Sequence, residues 1–163
     1  MKILLTVFVA LLCHCTAYCQ PDPNDGKSID NLMAALYEVI SGEAGEARNW
    51  ERFKDLFTPD AKLMPTTKDK EGKISYRSLA PGDYEALFKR INTAFYETEL
   101  RREMKQYGTI VNVWSTYATR LSKNGETSNR GINSLQLLFD GNRYYIMHIT
   151  WCAENMGYPL GEL

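Results

Sequence analysis

Hydrophobic residues recur with a helical period in the first half of the chain. From Ile29 they fall at i, i+3, i+4, i+7, i+8 and i+11, which is one stripe of an amphipathic helix. Ser28 is suited to cap the start of this helix and Gly42 to end it. The same period predicts a shorter helix over Trp50–Phe57 and a third helix over Gly82–Phe95. Two short strands are predicted between these two helices, at Ala61–Met64 and Lys73–Leu79.

The second half of the chain is rich in β-branched and aromatic residues and has no helical period. Asn124-Gly125 and Asp140-Gly141 have the composition of hairpin turns. Helices followed by a meander of long strands indicate an α+β fold, with three N-terminal helices packed on a curved, mainly antiparallel sheet. The four predicted strands are Tyr96–Tyr107, Thr109–Leu121, Arg130–Phe139 and Tyr144–Glu154.

The first nineteen residues have the pattern of a secretory signal peptide. An early Lys2 precedes an apolar run from Ile3 to Leu12, which is shorter than the roughly 20 residues needed to span a bilayer. Ala17-Tyr18-Cys19 is suited to signal cleavage, and Tyr18 before Cys19 argues against lipidation. The predicted organisation is a signal peptide at 1–19, a linker at 20–27 and one domain at 28–163. We expect an exported protein, periplasmic or extracellular, without membrane attachment after cleavage.

Composition excludes several classes of site. The 163 residues carry a formal net charge of −1, which gives no reason to expect nucleic acid as a partner. After signal cleavage only Cys152 and His148 remain of their kinds, too few for a conventional zinc site. No glycine-rich phosphate loop is present, and no cofactor is expected.

Three segments resemble the nuclear transport factor 2-like superfamily, which includes ketosteroid isomerase and the SnoaL-like cyclases. They are "WERFKDLFTPDAKL" (50–63), "YGTIVNVWSTYATR" (107–120) and "RGINSLQLLFDGNRYYIMHITW" (130–151). The resemblance implies a cone in which helices and a curved sheet enclose a conical ligand cavity. It specifies a fold and not an activity, because one fold supports many functions. It also implies that Tyr144 and Ile146 point into the cone.

Strand pairing predicts which polar residues share that cavity. A regular hairpin turning at Asp140-Gly141 pairs Asn133 with His148 on the face of Tyr144, and it places Ser134 and Gln136 outside. The preceding strand has two solutions. An even turn puts Asn112, Trp114 and Thr116 in the cavity, whereas the family pattern puts Val111, Val113, Ser115 and Tyr117 there.

The candidate catalytic residues are His148, as an acid or base near neutral pH, and Glu154, as a carboxylate at the mouth of the cone. The competing interpretations are a structural histidine in the cavity wall and a surface glutamate. Ketosteroid isomerase chemistry requires a cavity aspartate, and none lies within a long predicted strand. Candidate ligand-binding residues are Asn133, His148, Tyr144, Tyr117, Trp114, Tyr37 and Trp50, of which the aromatic members could equally be core.

The leading functional prediction is an exported domain that binds an unknown small, mostly apolar molecule without catalysis. One alternative is a lyase or isomerase that acts on a cyclic or carbonyl substrate through His148, with Asn133 orienting it. Another is a structural or partner-binding module that uses the outer sheet face of Ser134, Gln136, Met147 and Trp151. A homodimer through the outer sheet face is expected.

Overall fold

A computed structural model describes residues 20–161 of the chain. The predicted signal peptide and its three cysteines lie outside the described residues. None of the helices within 20–161 has the length and apolar character required to cross a bilayer. The elements in chain order are α1 (Ile29–Ile40), α2 (Trp50–Asp55), β1 (Phe57–Lys68), β2 (Ile74–Tyr76), α3 (Pro81–Phe88), β3 (Tyr96–Tyr107), β4 (Ile110–Arg120), β5 (Thr127–Phe139), β6 (Tyr144–Ala153) and a short 3-10 turn (Glu154–Met156).

The six strands form one sheet in the order β2-β1-β6-β5-β4-β3. The β3–β6 meander is antiparallel, while β1 pairs in parallel with β6. The predicted α+β class, with helices on a curved and mainly antiparallel sheet, is confirmed.

Helix α1 follows the predicted stripe. The Ser28 hydroxyl caps its first turn by accepting a hydrogen bond from the Asn31 amide at 3.1 Å. The helix ends at Ile40, and its apolar face is buried against the sheet. The second helix is shorter than predicted, because Phe57 already begins β1. The third helix likewise ends early, at Phe88.

The predicted linker packs against the domain. Asp25 is buried and its carboxylate receives two hydrogen bonds from the Arg52 guanidinium, at 2.7 and 2.9 Å. The Gly26 carbonyl accepts a hydrogen bond from the amide of Tyr144 at the start of β6. The turn at 22–27 therefore covers one end of the sheet.

The predicted pairing of Asn133 with His148 is wrong. The hairpin loop has four residues, so Phe139 pairs with Tyr144, and Met147 then forms a bulge that leaves His148 opposite Gln136. Beyond this bulge Asn133 pairs with Trp151. The bulged arrangement turns Ile149 and Trp151 inward, whereas a regular one would turn His148 and Thr150 inward. Burial of apolar side chains therefore favours the bulge.

Strand β4 follows the family pattern. Val111, Val113 and Ser115 are fully buried on the concave face and Tyr117 lies beside them, while Trp114 is 50% exposed on the outer face. The strand has no bulge between Ile110 and Thr119, so its alternation is regular.

Candidate functional site: an apolar cavity around Glu97

A cavity of about 400 Å³ lies between the concave sheet face and helices α1 and α3. The side chains around it are mostly aliphatic or aromatic, and they come from α1, α3, β1, β3, β4, β5 and β6 and from the segments after β2 and α3. Such a lining is typical of a small-molecule site in which a few polar groups fix orientation. The apolar and aromatic members include Leu36, Ile40, Leu63, Leu79, Leu87, Phe88, Phe95, Ile149 and Trp151.

Glu97 of β3 is the one carboxylate among the residues that line this cavity. It also borders a second, polar crevice between α1 and β3, so the residue as a whole is only half-buried. The protein atoms around its carboxyl group nevertheless disfavour the charged form. Burial raises the pKa of Glu97 to about 8, and a hydrogen bond from Asn133 opposes this rise only in part. At neutral pH the group is therefore mainly a neutral carboxylic acid that can donate a hydrogen bond.

Asn133 connects Glu97 to a buried chain of hydroxyl groups. Its Nδ2 donates to the Glu97 Oε1 at 3.4 Å and to the Tyr37 hydroxyl at 3.0 Å. The Tyr37 hydroxyl lies 2.7 Å from the Ser115 Oγ, which in turn donates to the Glu99 Oε1 at 2.5 Å. Because Tyr37 accepts from Asn133, its own proton is directed at Ser115.

The chain of hydroxyls ends at a charged group outside the cavity. The Arg102 guanidinium holds the Glu99 carboxylate through Nε and Nη2, the latter at 2.6 Å, and it also binds Asp30 at 2.7 Å. This anchor fixes Glu99 as an acceptor, which orders the hydroxyls of Ser115 and Tyr37 and sets the orientation of the Asn133 amide. The Asn133 Nδ2 is thus committed to Glu97 and Tyr37.

Two phenols border the same space. Tyr117 pairs with Gly131 across β4 and β5, and its ring lies so close to Gly131 that a Cβ there would overlap the hydroxyl. Tyr84 of α3 reaches the cavity from the opposite side. Burial, followed by the nearby Glu97 carboxylate, raises the pKa of both phenols, so each remains a neutral hydrogen-bond donor.

Comparison with solved structures identifies the architecture. A protein of unknown function with a cystatin-like fold from Nostoc punctiforme superposes with a TM-score of 0.60 at 10% identity, covering 82% of this chain and 94% of its own. A protein assigned as the beta subunit of an aromatic-ring-hydroxylating dioxygenase from Novosphingobium aromaticivorans gives 0.59 at 17% identity, covering 77% and 86%. The chain has the nuclear transport factor 2-like cone fold. At these identities the likeness shows the fold alone. No protein-family model matches the chain, and no functionally curated protein matches it significantly.

Three of the predicted site residues meet in the cone. Asn133 and Tyr117 line the cavity, and Tyr37 supports Asn133 from α1. His148 does not join them, because the bulge at Met147 turns it to the outer face of the sheet, between Gln136 and Lys62. Trp114 lies on that outer face as well.

The remaining predicted residues lie at the ends of the cone or in its core. Tyr144 is on the concave face but outside the cavity, where its ring lies 4.7 Å from that of Phe139. Trp50 packs edge-on against Phe53 and Phe88, each at 5.5 Å. Glu154 begins the 3-10 turn, and two hydrogen bonds from Arg130, at 2.7 and 2.8 Å, occupy its carboxylate.

Sequence reasoning missed Glu97, Tyr84 and Trp151. Glu97 alternates with Phe95, a cavity residue, and this parity was a sign that the carboxylate faces inward. Its neighbours in sequence are polar, so the strand resembled a solvated edge. Ile146 and Ile149 are both buried, and side chains three positions apart lie on the same face of a strand only where a bulge intervenes. Within residues 20–161, no cluster of His, Cys, Asp and Glu has the arrangement of a metal site.

Proposed function

We propose that the cavity binds a small, mostly apolar molecule that carries a carbonyl or hydroxyl group. The walls provided by α1, α3 and the concave sheet face favour an apolar body. Glu97 and Asn133 provide hydrogen bonds at one position in this lining. The proposal includes export to the periplasm or the extracellular space, which rests on the composition of residues 1–19.

The observation that carries the proposal is the Glu97 carboxyl in an otherwise apolar lining. A buried polar group costs free energy unless it is hydrogen-bonded, and Asn133 at 3.4 Å is its one protein partner among the described residues. A ligand that brings a carbonyl or hydroxyl oxygen to the protonated carboxyl would satisfy it. The incompletely hydrogen-bonded carboxyl destabilises the empty protein, and relief of this cost would contribute to the binding free energy of the ligand.

Probe fluorescence tests the binding proposal. The purified protein should bind N-phenylnaphthylamine, a neutral apolar dye, with enhanced emission. Leu87→Trp replaces an aliphatic side chain of the cavity lining by a bulky indole and should remove this binding. Leu121→Trp makes the same substitution at a position that is 62% exposed and should leave binding unchanged. Equal binding by both variants and the parent protein would contradict the proposal.

A ketone-bearing naphthalene dye tests the role of Glu97, because its emission shifts to the red when its carbonyl accepts a hydrogen bond. Bound to the parent protein at pH 7, it should emit further to the red than when bound to Glu97→Leu. Identical emission from the two complexes would show that Glu97 does not donate a hydrogen bond to the carbonyl of the dye.

A second candidate is proton transfer at a carbonyl substrate, with Glu97 in the role that the sequence assigned to His148. A pKa of about 8 leaves both protonation states populated near neutral pH, which is what a general acid or base requires. The test is deuterium incorporation next to the carbonyl of cyclic ketones incubated with the protein in heavy water. Glu97→Gln should abolish it, and exchange that survives the substitution would exclude Glu97.

The outer sheet face favours a third role, self-association. Tyr107, Ile110, Trp114 and Met147 are exposed on this face, in β3, β4 and β6. Apolar residues grouped on one face are typical of an interaction surface, and a homodimer through this face is our proposal for it.

A further inference from the structure

We infer that the ligand of this cavity is an anionic amphiphile, with its apolar body beside Glu97 and its negatively charged group bound by Arg77 at the mouth. This inference rests on the proposed function and adds to it a ligand class and a specificity-determining residue.

The position of Arg77 follows from the pairing of β1 with the segment after β2. Leu63 and Leu79 exchange two backbone hydrogen bonds, at 2.9 and 3.0 Å, and the Arg77 amide donates to the Pro65 carbonyl at 3.2 Å. Side chains two residues apart share one face of a strand. Arg77 therefore lies on the cavity face one step farther out than Leu79, and the outermost step is Thr67 opposite Ser75.

The Arg77 guanidinium is available to a ligand. Within residues 20–161, no carboxylate lies at ion-pair distance from it, and its side chain donates no hydrogen bond. Arg102, which is also on the concave side, differs in this respect because it is bound to Glu99 and Asp30. An arginine without a partner at the edge of an apolar cavity suits a carboxylate, sulfonate or phosphate oxygen.

The charge balance of the cavity favours an anion. Arg77 and Glu97 are the two residues with ionisable charge at neutral pH that line it, and burial keeps Glu97 mainly protonated. The cavity therefore carries a net positive charge near pH 7. Further polar residues of the lining are Thr66, Thr67, Thr119 and Asn129, which are neutral and able to donate hydrogen bonds.

The size of the site also favours a ligand that spans both groups. A cavity of about 400 Å³ holds a molecule of one to three rings, which is enough to leave an apolar part inside while a charged group meets Arg77. An anion without an apolar part would form only the contact with the exposed Arg77 guanidinium, where solvent screens the attraction between the charges.

Two fluorescent probes that differ in one group provide the test. N-phenylnaphthylamine is neutral, and anilinonaphthalene sulfonate adds a sulfonate to the same ring system. The parent protein should bind the sulfonated probe more tightly. Arg77→Gln should lower the affinity for that probe by about tenfold, because one charge-assisted contact is lost, and it should leave the affinity for the neutral probe unchanged. Arg90→Gln removes the same charge from an exposed position outside the cavity and should affect neither probe.

The outcomes separate this inference from the proposed function. Sulfonated-probe affinity that is unchanged in Arg77→Gln, while Leu87→Trp still removes neutral-probe binding, would overturn the anionic ligand and leave the cavity as a binding site. Failure of both probes to bind the parent protein would overturn both proposals. Weakening of the sulfonated probe by added salt in the parent protein, but not in Arg77→Gln, would support the contact with Arg77.

Discussion

Glu97 has a raised pKa because of the groups that surround it. Its carboxyl faces Asn133 from β5, the Tyr117 phenol from β4 and the Tyr84 phenol from α3. These neighbours are neutral at physiological pH, and among the described residues no cation contributes to the pKa of Glu97, which burial raises and the Asn133 hydrogen bond lowers only in part. A glutamate in such a position makes stability depend on pH.

The substitution Glu97→Gln should remove this dependence. The unfolded carboxyl loses its proton near pH 4.5 and the folded one near pH 8. The folded parent protein therefore binds one more proton than the unfolded chain between these values, and its stability falls as pH rises through that window. In urea unfolding, we expect the free energy of unfolding of Glu97→Gln to rise relative to that of the parent protein between pH 5 and 8. The relative rise should be on the order of a few kcal/mol, and the difference should be constant at higher pH. A constant difference from pH 5 to 9 would contradict the raised pKa.

Asn133 should matter both to stability and to the pKa of Glu97. Asn133→Ala leaves the Tyr37 hydroxyl and the Glu97 carboxyl without their shared donor, at a cost of about 1–3 kcal/mol in the free energy of unfolding. Because the Asn133 hydrogen bond lowers the pKa of Glu97, its loss should also raise the pH range over which ionisation of Glu97 lowers stability. Chemical denaturation across pH measures both effects. Asn129→Ala also changes a cavity residue but breaks no side-chain hydrogen bond within residues 20–161. It should therefore neither lower the free energy of unfolding by this amount nor change the pKa of Glu97.

Among the elements, the β4–β5 pair depends on a glycine. Tyr117 lies over Gly131, and an alanine Cβ there would stand 2.5 Å from the Cys152 carbonyl and closer still to the Tyr117 hydroxyl. Gly131→Ala should therefore destabilise the fold by about 1–3 kcal/mol and displace Tyr117 from the cavity. The measurements are thermal unfolding and neutral-probe binding. Gly82→Ala meets no atom within 4 Å and is the matched control. Equal stability of the two variants would rule out the close packing.

The sequence predicted the elements better than the faces they present. The bounds of β3 and the cap of α1 were predictable because the end of a helical period and a capping residue are local properties. The face of His148 was not, because it depends on one bulged residue, and the choice is made by which side chains the whole core can bury. The acid of the cavity was missed for a related reason: whether a charged residue in an edge strand faces inward depends on the helix that covers it.

At the level of the whole molecule, the cone has a cavity whose apolar lining contains one acid, and an outer sheet face on which apolar side chains are exposed. If the outer face forms the dimer, a charge at its centre should dissociate it. Met147→Glu places a carboxylate on this face beside His148, and light scattering should then give the mass of a monomer. Ile74→Glu adds the same charge to an exposed residue of β2 and should not change the mass. A dimer that persists in Met147→Glu would place the contact elsewhere.

The bulge at Met147 has a consequence for how the chain can vary in evolution. Met147 adds a residue to β6 without a counterpart in β5, so a chain lacking it would continue regularly from Ile146 to His148 and keep Ile149 and Trp151 inside. The geometry of the strand therefore permits a deletion of one residue at this point with the same side chains facing the cavity. Homologues are best aligned here with an allowance for a one-residue gap, since an alignment without one would equate residues that occupy opposite faces of the same strand.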